Sequence, residues 1–293
     1  MQINNIGILS PGDMGSAVGK VLIDNGYKVF TNLDGRSERT KKLSENAGII
    51  SLPSLSRILS DCEIVLSILV PSEALGLAKR ISKTNSSNNL PLFVDCNAVS
   101  PTTKKNISKI MIGSGMEFID GGIVGPPPRD GNIPRLYVSG PKSSDLLQLN
   151  NKGIEVVVLG EEIGQASSLK MCYASITKGK IALYTSALIS AYRLGIYDSL
   201  IEELNFSQKD VLSEMSSVNS LSTKAFRWIG EMNEIAETYQ SKNITSKMHF
   251  GAAETFSLVA DSILGDERPE TYDTKRILRE TISMLSHENK RKT

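Results

Sequence analysis

The turn Ser10-Pro11-Gly12-Asp13-Met14-Gly15 closes the short apolar run Ile6-Gly-Ile-Leu9 and opens an amphipathic stretch. No other feature of the chain limits its fold as tightly. The spacing is S-x-G-x-x-G, one residue away from the G-x-G-x-x-G turn that joins a first strand to a first helix in dinucleotide-binding sheets. In such a turn Gly12 lets the backbone approach a pyrophosphate, and Gly15 lets the helix pack close against the sheet. Ser10 stands in for the tight-turn glycine, with Pro11 beside it to stiffen the chain. The helix N-terminus at Asp13-Met14 offers free N–H groups to a phosphate. The Asp13 carboxylate is out of place beside an anion and is expected to point outward.

Beyond this turn the chain alternates between strand and helix patterns. Met14, Ala17, Val18, Val21 and Leu22 form one helical stripe, ended by Asn25-Gly26 in the manner of a C-cap. Lys28–Thr31 reads as a strand, and Ser37 to Ala47 as a helix ended by Gly48. Ile64 to Val70 is apolar and β-branched, as a strand covered on both faces would be. Leu92–Asp95, Glu117–Asp120 and Arg135–Ser139 are further strands, and Ser100-Pro101 opens a helix with Pro at its first position. This rhythm predicts an α/β, Rossmann-like, mostly parallel sheet over residues 1–163. From Gly164 to Gly195 there is no proline and helix formers dominate, which predicts one helix of roughly 45 Å running through Gly179. Turns at Asn205, Asn243, Gly265 and Pro269 divide the remainder into more helices, so residues 164–293 read as an all-α domain. Thr84 to Asn89 reads as a surface loop, and the tail from His287 as frayed and solvated.

Composition narrows the uses of such a fold. The chain has 33 Lys+Arg against 32 Asp+Glu, and 33 − 32 = +1. That balance argues against a nucleic-acid binder, which needs a cationic surplus to meet phosphates. His249 and His287 are the sole imidazoles, and Cys62, Cys96 and Cys172 are widely spaced, so a Cys/His metal site is not expected. No apolar run is long enough to cross a bilayer. Met1 leads straight into the first strand without the basic start and long apolar region of a signal peptide. The expected setting is the cytoplasm, with reduced thiols.

The end of the second strand bears on cofactor choice. Asp34 lies 19 positions after Gly15, about where an acid holds a ribose 2′-OH. Gly35, Arg36, Ser37 and Arg39 come at once after it, and a guanidinium with a hydroxyl suits a 2′-phosphate. The residues lean toward NADP, with NAD the alternative; a solvated turn is the third way to read them.

Four segments, in order, are similar to the β-hydroxyacid dehydrogenases, the family of 3-hydroxyisobutyrate and 6-phosphogluconate dehydrogenases. Ile6-Gly7 through Met14-Gly15 resembles the family's cofactor loop. Val94-Asp95-Cys96-Asn97-Ala98-Val99-Ser100-Pro101 resembles its segment near the nicotinamide. Phe118-Ile119-Asp120-Gly121-Gly122-Ile123-Val124-Gly125 sits where the family has its substrate loop. Gly164-Gln165-Ala166-Ser167-Ser168-Leu169-Lys170 sits where it has G-x-G-x-x-x-K, and the resemblance gives Lys170 the catalytic role. Further on, Arg227-Trp228, Glu231-Met232-Asn233-Glu234-Ile235-Ala236 and His249-Phe250-Gly251-Ala252-Ala253-Glu254 look like an uncharacterised branch with a domain of unknown function, which Gly125-Pro126-Pro127-Pro128 also fits. Three departures stand out: Ser10 for the first glycine, Val124 for a substrate-loop Ser, and Ala174 for an Asn that touches substrate. Two polar contacts are thus missing, and the substrate need not be hydroxyisobutyrate or a phosphosugar.

The expected chemistry is hydride transfer between nicotinamide and a small β-hydroxy acid, its semialdehyde or a related alcohol. A proton must then leave or reach the oxygen, and Lys170, early in the long helix and beside its positive end, is the expected general acid/base. The resemblance implies cofactor contacts at Ser10, Pro11, Gly12, Asp13, Met14, Arg36, Ser37, Val70, Pro71 and Asn97. Gly121, Gly122 and Gly125 read as a backbone loop whose N–H groups hold a substrate anion, or equally as a tight turn. Thr177 and Lys178, up to two turns beyond Lys170, are further substrate candidates, though Lys178 suits a solvated position equally well. His249 reads as a structural histidine, and Met171, Tyr173 and Trp228 as helical core. The long apolar helices need partners, which suggests a homodimer. Two rivals remain: an imine reductase on the same scaffold, against which the retained Lys170 argues, and a non-catalytic NADPH-binding protein.

Overall fold

The computed structural model describes residues 2–84 and 90–287. Most of the expected loop at Thr84–Asn89, and the tail beyond His287, lie outside the described residues. Elements alternate as the pattern predicts: β1 (Asn5–Leu9), α1 (Asp13–Asp24), β2 (Lys28–Thr31), α2 (Glu38–Asn46), β3 (Ile50–Ser51), α3 (Leu55–Asp61), β4 (Ile64–Ser67), α4 (Pro71–Ile81), β5 (Leu92–Asp95) and α5 (Pro101–Gly113). Then come β6 (Phe118–Val124), β7 (Arg135–Ser139), β8 (Glu155–Gly160) and α6 (Gln165–Arg193). The chain divides into two compact units, Met1–Met171 and Cys172–Thr293, and the boundary falls within the α6 segment.

In the first unit the strands order as β3-β2-β1-β4-β5-β6-β7-β8. Pairing is parallel except between β6 and β7. The order reverses direction between β1 and β4, the switch point where open α/β sheets take their ligands. Side-chain alternation divides the core. Ile6, Ile8, Ile64, Leu66, Leu92, Val94 and Ile119 pack on one face with Leu22 of α1. Val65, Phe93 and Phe118 pack on the other with Leu77, Ile107 and Met111. Both faces of β4 and β5 are therefore covered, which is why these strands read as unbroken apolar runs.

Two boundaries differ from expectation. The run expected to continue to Val70 leaves the sheet after Ser67, because Leu69 N donates to the Asn97 side chain and Val70 is the N-cap of α4. The strand expected over Glu117–Asp120 continues to Val124 through antiparallel pairs with β7.

The second unit continues from α6 through α7 (Tyr197–Ser207), α8 (Lys209–Met215), α9 (Ser222–Gln240), α10 (Lys247–Ala260) and α11 (Leu278–Ser286). Phe256 and Val259 on α10 are buried with Met232, Ile235 and Ala236 on α9. Arg276 and Glu267 pair at 2.6 Å and help close the loop before α11.

Candidate active site

Strand register sets the site's floor. Leu9, Ser67 and Asp95 end β1, β4 and β5, and Asp120, inside β6, lies abreast of them. The residues immediately after each strand form the rim.

At the first rim position Ser10 adopts φ +63°. A left-handed backbone costs a non-glycine residue about 1 kcal/mol, so the turn demands what the missing glycine would give freely. A Cβ on Gly15 would stand 3.1 Å from Ser10 O and 3.4 Å from Ile8 Cγ2, so Gly15 serves the close helix–sheet contact. A Cβ on Gly12 would meet nothing within 4 Å, which leaves the approach to the backbone open. Gly12 is the N-cap of α1 and gives it no side-chain cap, whereas Ser37, Ser54 and Ser100 cap α2, α3 and α5. The α4 start, at Val70-Pro71, also lacks a side-chain cap. The helices after the two strands at the switch point thus leave their first turns without a side-chain cap, as a pyrophosphate cradle requires.

Asp13 does not simply point outward. Its carboxylate pairs with Arg129, from the loop after β6, whose guanidinium also reaches Asp13 O at 3.4 Å. The pair cancels the negative charge at the mouth of the cradle. Nothing local in the sequence joins residues 116 positions apart, and Arg129 was not among the expected site residues.

After β2, Asp34 is exposed and its carboxylate accepts from Asn32 Nδ2 at 3.0 Å. Arg36 is half-buried in the next turn. Ser37 is primarily a helix cap, its Oγ accepting from Thr40 N at 3.3 Å. Asn97 is buried and much of its amide is engaged: Oδ1 accepts from Leu69 N at 2.5 Å and Nδ2 donates to Ser67 Oγ at 2.9 Å. It ties the end of β4 to the residues after β5.

Lys170 is half-buried on α6, and its Nζ donates to Cys96 O at 3.4 Å, at the carboxyl end of β5. Two devices put it there. Asp120 Oδ2 accepts from Gly164 N at 2.9 Å, Ser167 N at 3.0 Å and Ser167 Oγ at 2.9 Å, so a β6 carboxylate caps the start of α6. A Cβ on Gly122 would stand 3.3 Å from Lys170 Cβ and 3.4 Å from its Cδ, so the lysine stem runs along a strand made bare for it. This corrects the expected loop: Gly121 and Gly122 are strand residues paired with Val138 and Tyr137, and the flat side of β6 admits Lys170. Gly125, at φ +117°, does begin the loop.

Beneath lies a cluster without a local signature. Lys104 on α5 is wholly buried between Asp95 and Asp120, at 2.6 and 3.5 Å. Burial opposes its charge, but the two carboxylates outweigh that and hold the ammonium above its ordinary range. Burial pushes the neighbouring Cys96 thiol up to about 12, and Cys62 likewise to about 12. A thiol, not a thiolate, then persists at both through neutral and mildly alkaline pH. Treating the folded protein with a thiol reagent at pH ~8, where a free cysteine is partly ionised, is expected to modify the exposed Cys172 alone. Mass spectrometry after unfolding should find all three modified; rapid native labelling of Cys96 would contradict its burial.

The helical unit holds the remaining candidates. Lys178 is not solvated: Nζ pairs with Glu231 at 2.6 Å and lies 5.4 Å from the Trp228 ring centroid. Thr177 Oγ1 donates back to Tyr173 O at 3.2 Å. Met171 is fully buried, whereas Tyr173, expected in the core, is exposed. Trp228 packs edge-on against Phe256. His249 is buried against Tyr239, with ring centroids 4.3 Å apart and Nδ1 without a partner, and desolvation lowers its pKa. It borders a cavity of about 600 Å³ lined by Ile176, Gly179, Leu183 and Met248 among others. Among the described residues no cluster of His, Cys, Asp and Glu is arranged for a metal, and no helix is long and apolar enough to cross a membrane.

Comparison with known proteins respects the same division. Residues 5–144 match the family described as the NAD binding domain of 6-phosphogluconate dehydrogenase. Residues 191–259 match a domain of unknown function, DUF1932. An uncharacterised 28.5 kDa protein from the 7S RNA 5′ region of Methanothermus fervidus is 31% identical over 199 residues, covering 68% of this chain and 75% of that one. A conserved protein of unknown function, described as structurally similar to 3-hydroxyacid dehydrogenases, is 29% identical with a TM-score of 0.64, covering 88% of this chain and 97% of its own. The 3-hydroxyisobutyrate dehydrogenase of Mycobacterium tuberculosis shares the fold at a TM-score of 0.67 and 14% identity, covering 88% and 94%.

Proposed function

The chain belongs to the β-hydroxyacid dehydrogenase family, in the branch that carries DUF1932 in its C-terminal part, and from that premise we propose that Lys170 serves as general acid/base in an NAD(P)-dependent hydride transfer. The substrate is a small, anionic β-hydroxy acid, its semialdehyde or a related alcohol. One observation carries this reading: the Lys170 amine is held against a backbone carbonyl at the carboxyl end of β5, on the same sheet edge as the uncapped start of α1.

When bound, the dinucleotide supplies or accepts the hydride. The amides of Asp13 and Met14, with Gly12 bare beside them, receive its pyrophosphate, and Arg129 keeps Asp13 from repelling it. Arg36 and the start of α2 favour a 2′-phosphate, so NADP is preferred over NAD. Val70, Pro71 and Asn97, on the loops after β4 and β5, would border the nicotinamide end. Lys170 takes the hydroxyl proton in oxidation and returns it in reduction. Its neutral form accepts that proton, and the Cys96 carbonyl keeps the amine aimed in either state. Gly121, Gly122 and Gly125 leave room for substrate beside the lysine stem, and Val124 makes that wall apolar. In the helical unit, Ile176, Leu183 and Met248 are large, apolar and exposed. Such a patch suits a second copy of the chain and supports a homodimer.

Calorimetric titration with NADPH and NADH tests the cofactor part. The expected result is binding of NADPH, weaker binding of NADH, and loss of both in Gly12→Val, whose side chain would fill the open approach. Failure of the wild-type protein to bind either dinucleotide would sink the reading.

A further inference from the structure

The proposed proton transfer uses Lys170 but not the wholly buried Lys104 beneath it. The Lys104 ammonium donates to Asp95 O at 2.7 Å and Asp95 Oδ1 at 2.6 Å. It also reaches Asn97 O at 3.4 Å and Gly121 O at 3.3 Å, and stands 3.5 Å from Asp120 Oδ1. Burying such a charge is costly, and apolar replacements of buried ionic networks are often neutral or stabilising. Stability alone is therefore a weak reason for this cluster.

Its geometry supplies a stronger one. The Asp95 and Asn97 carbonyls that Lys104 grips flank, along the chain, the Cys96 carbonyl that Lys170 meets. Asp120 offers one oxygen toward Lys104 and the other to the start of α6, a short way before Lys170 in the chain. Gly121, whose carbonyl Lys104 also holds, precedes the Gly122 that the Lys170 stem crosses. The Cys96 carbonyl, the bared strand at Gly122 and the capped start of α6 thus each adjoin a group that Lys104 or its two carboxylates hold.

We propose that Lys104 is a positioning residue: clamped between Asp95 and Asp120, it holds the end of β5 to the middle of β6 so that Lys170 stays fixed on the Cys96 carbonyl, and the charge of this buried triad governs how readily Lys170 releases its proton. The inference rests on Lys170 being the proton-transfer group. The test reads the Lys170 amine itself and not turnover, so the two ideas fail separately. The titratable groups gathered here are Asp95 and Cys96 at the end of β5, Asp120 on β6 and Lys104 on α5, with the Lys105 side chain passing Gly164 at the start of α6; the first turn of α6 carries no acidic residue. Removing the Lys104 charge leaves two carboxylates to favour protonated Lys170. Removing the Asp95 charge leaves more positive charge and disfavours it.

Competitive acetylation with acetic anhydride across pH about 6 to 10, read by peptide mass spectrometry, tracks the Lys170 amine. The exposed Lys28 serves as internal reference. The half-labelling pH of Lys170 is expected to rise by about one unit in Lys104→Met and fall by about one unit in Asp95→Asn, with Lys28 unmoved. A merely structural triad would lower the melting temperature of both variants without opposite displacements at Lys170. Any result other than opposite displacements overturns the proposal. Should Lys104→Met fail to fold, Asp95→Asn decides alone: a downward shift supports the proposal, and an unchanged or raised value overturns it.

Discussion

Lys170→Ala is expected to lower turnover by about 10²–10⁴-fold while leaving NADPH affinity nearly unchanged, because a positioned acid/base contributes about that much to proton transfer. The geometry accounts for the separation. The proposed dinucleotide contacts at Gly12, Asp13 and Met14 lie at the start of α1, whereas Lys170 meets the Cys96 carbonyl. A substitution that removes only the amine should therefore lower kcat and spare binding. Lys170→Arg sharpens the test. Arginine keeps the positive charge but does not deprotonate near neutral pH, so it should stay nearly as inactive as alanine. Activity retained in either variant would remove Lys170 from the chemistry. Activity retained in Lys170→Arg alone would make it a binding cation instead.

Asp120→Ala is expected to destabilise the sheet unit by about 3–5 kcal/mol, since truncating one partner of a buried ion pair leaves the other charge stranded. Asp120 is fully buried and serves two elements at once, Lys104 on one side and the first amides of α6 on the other. Its loss leaves Gly164 N and Ser167 N without their acceptor. Hydrogen exchange at those two amides should quicken even where the remaining sheet stays protected. Urea unfolding combined with exchange mass spectrometry reads both effects. Wild-type stability in Asp120→Ala, with unchanged exchange at the start of α6, would refute the capping role assigned to it.

Strand pattern carried most of the sheet because both faces are covered, so Lys28–Thr31, Leu92–Asp95 and Arg135–Ser139 stand where the apolar periodicity puts them. The two-residue β3 is too short to leave a pattern, and β8 was not anticipated. The cofactor turn was legible as spacing, but the strain at Ser10 and the Arg129 partner of Asp13 depend on tertiary approach. Gly121 and Gly122 were read as loop because the resemblance puts a substrate loop at Phe118 to Gly125. Their purpose here is to bare a strand for the Lys170 stem. The buried triad was missed for a related reason. Lys104 stands beside Lys105 in a polar stretch, where a lysine ordinarily meets solvent, and it was not singled out. Yet it shares a helical stripe with Ile107 and Met111, both fully buried, and a lysine on that stripe was the available signal. Lys178 differs in a similar way: a solvated position suited it from the sequence, and its amine is instead paired with Glu231, a contact across helices that spacing does not show.

The central claim is a hydride passed between a nicotinamide and the substrate carbon. Incubating the protein with NADPH or NADH carrying deuterium at the transferable position, against a panel of semialdehydes, keto acids and related carbonyls, tests it most directly. Mass spectrometry is expected to find a product with one carbon-bound deuterium, formed by the wild type and lost in Lys170→Ala. Bound dinucleotide with no deuterium in any product across the panel would contradict the account and favour a protein that holds the cofactor without using it.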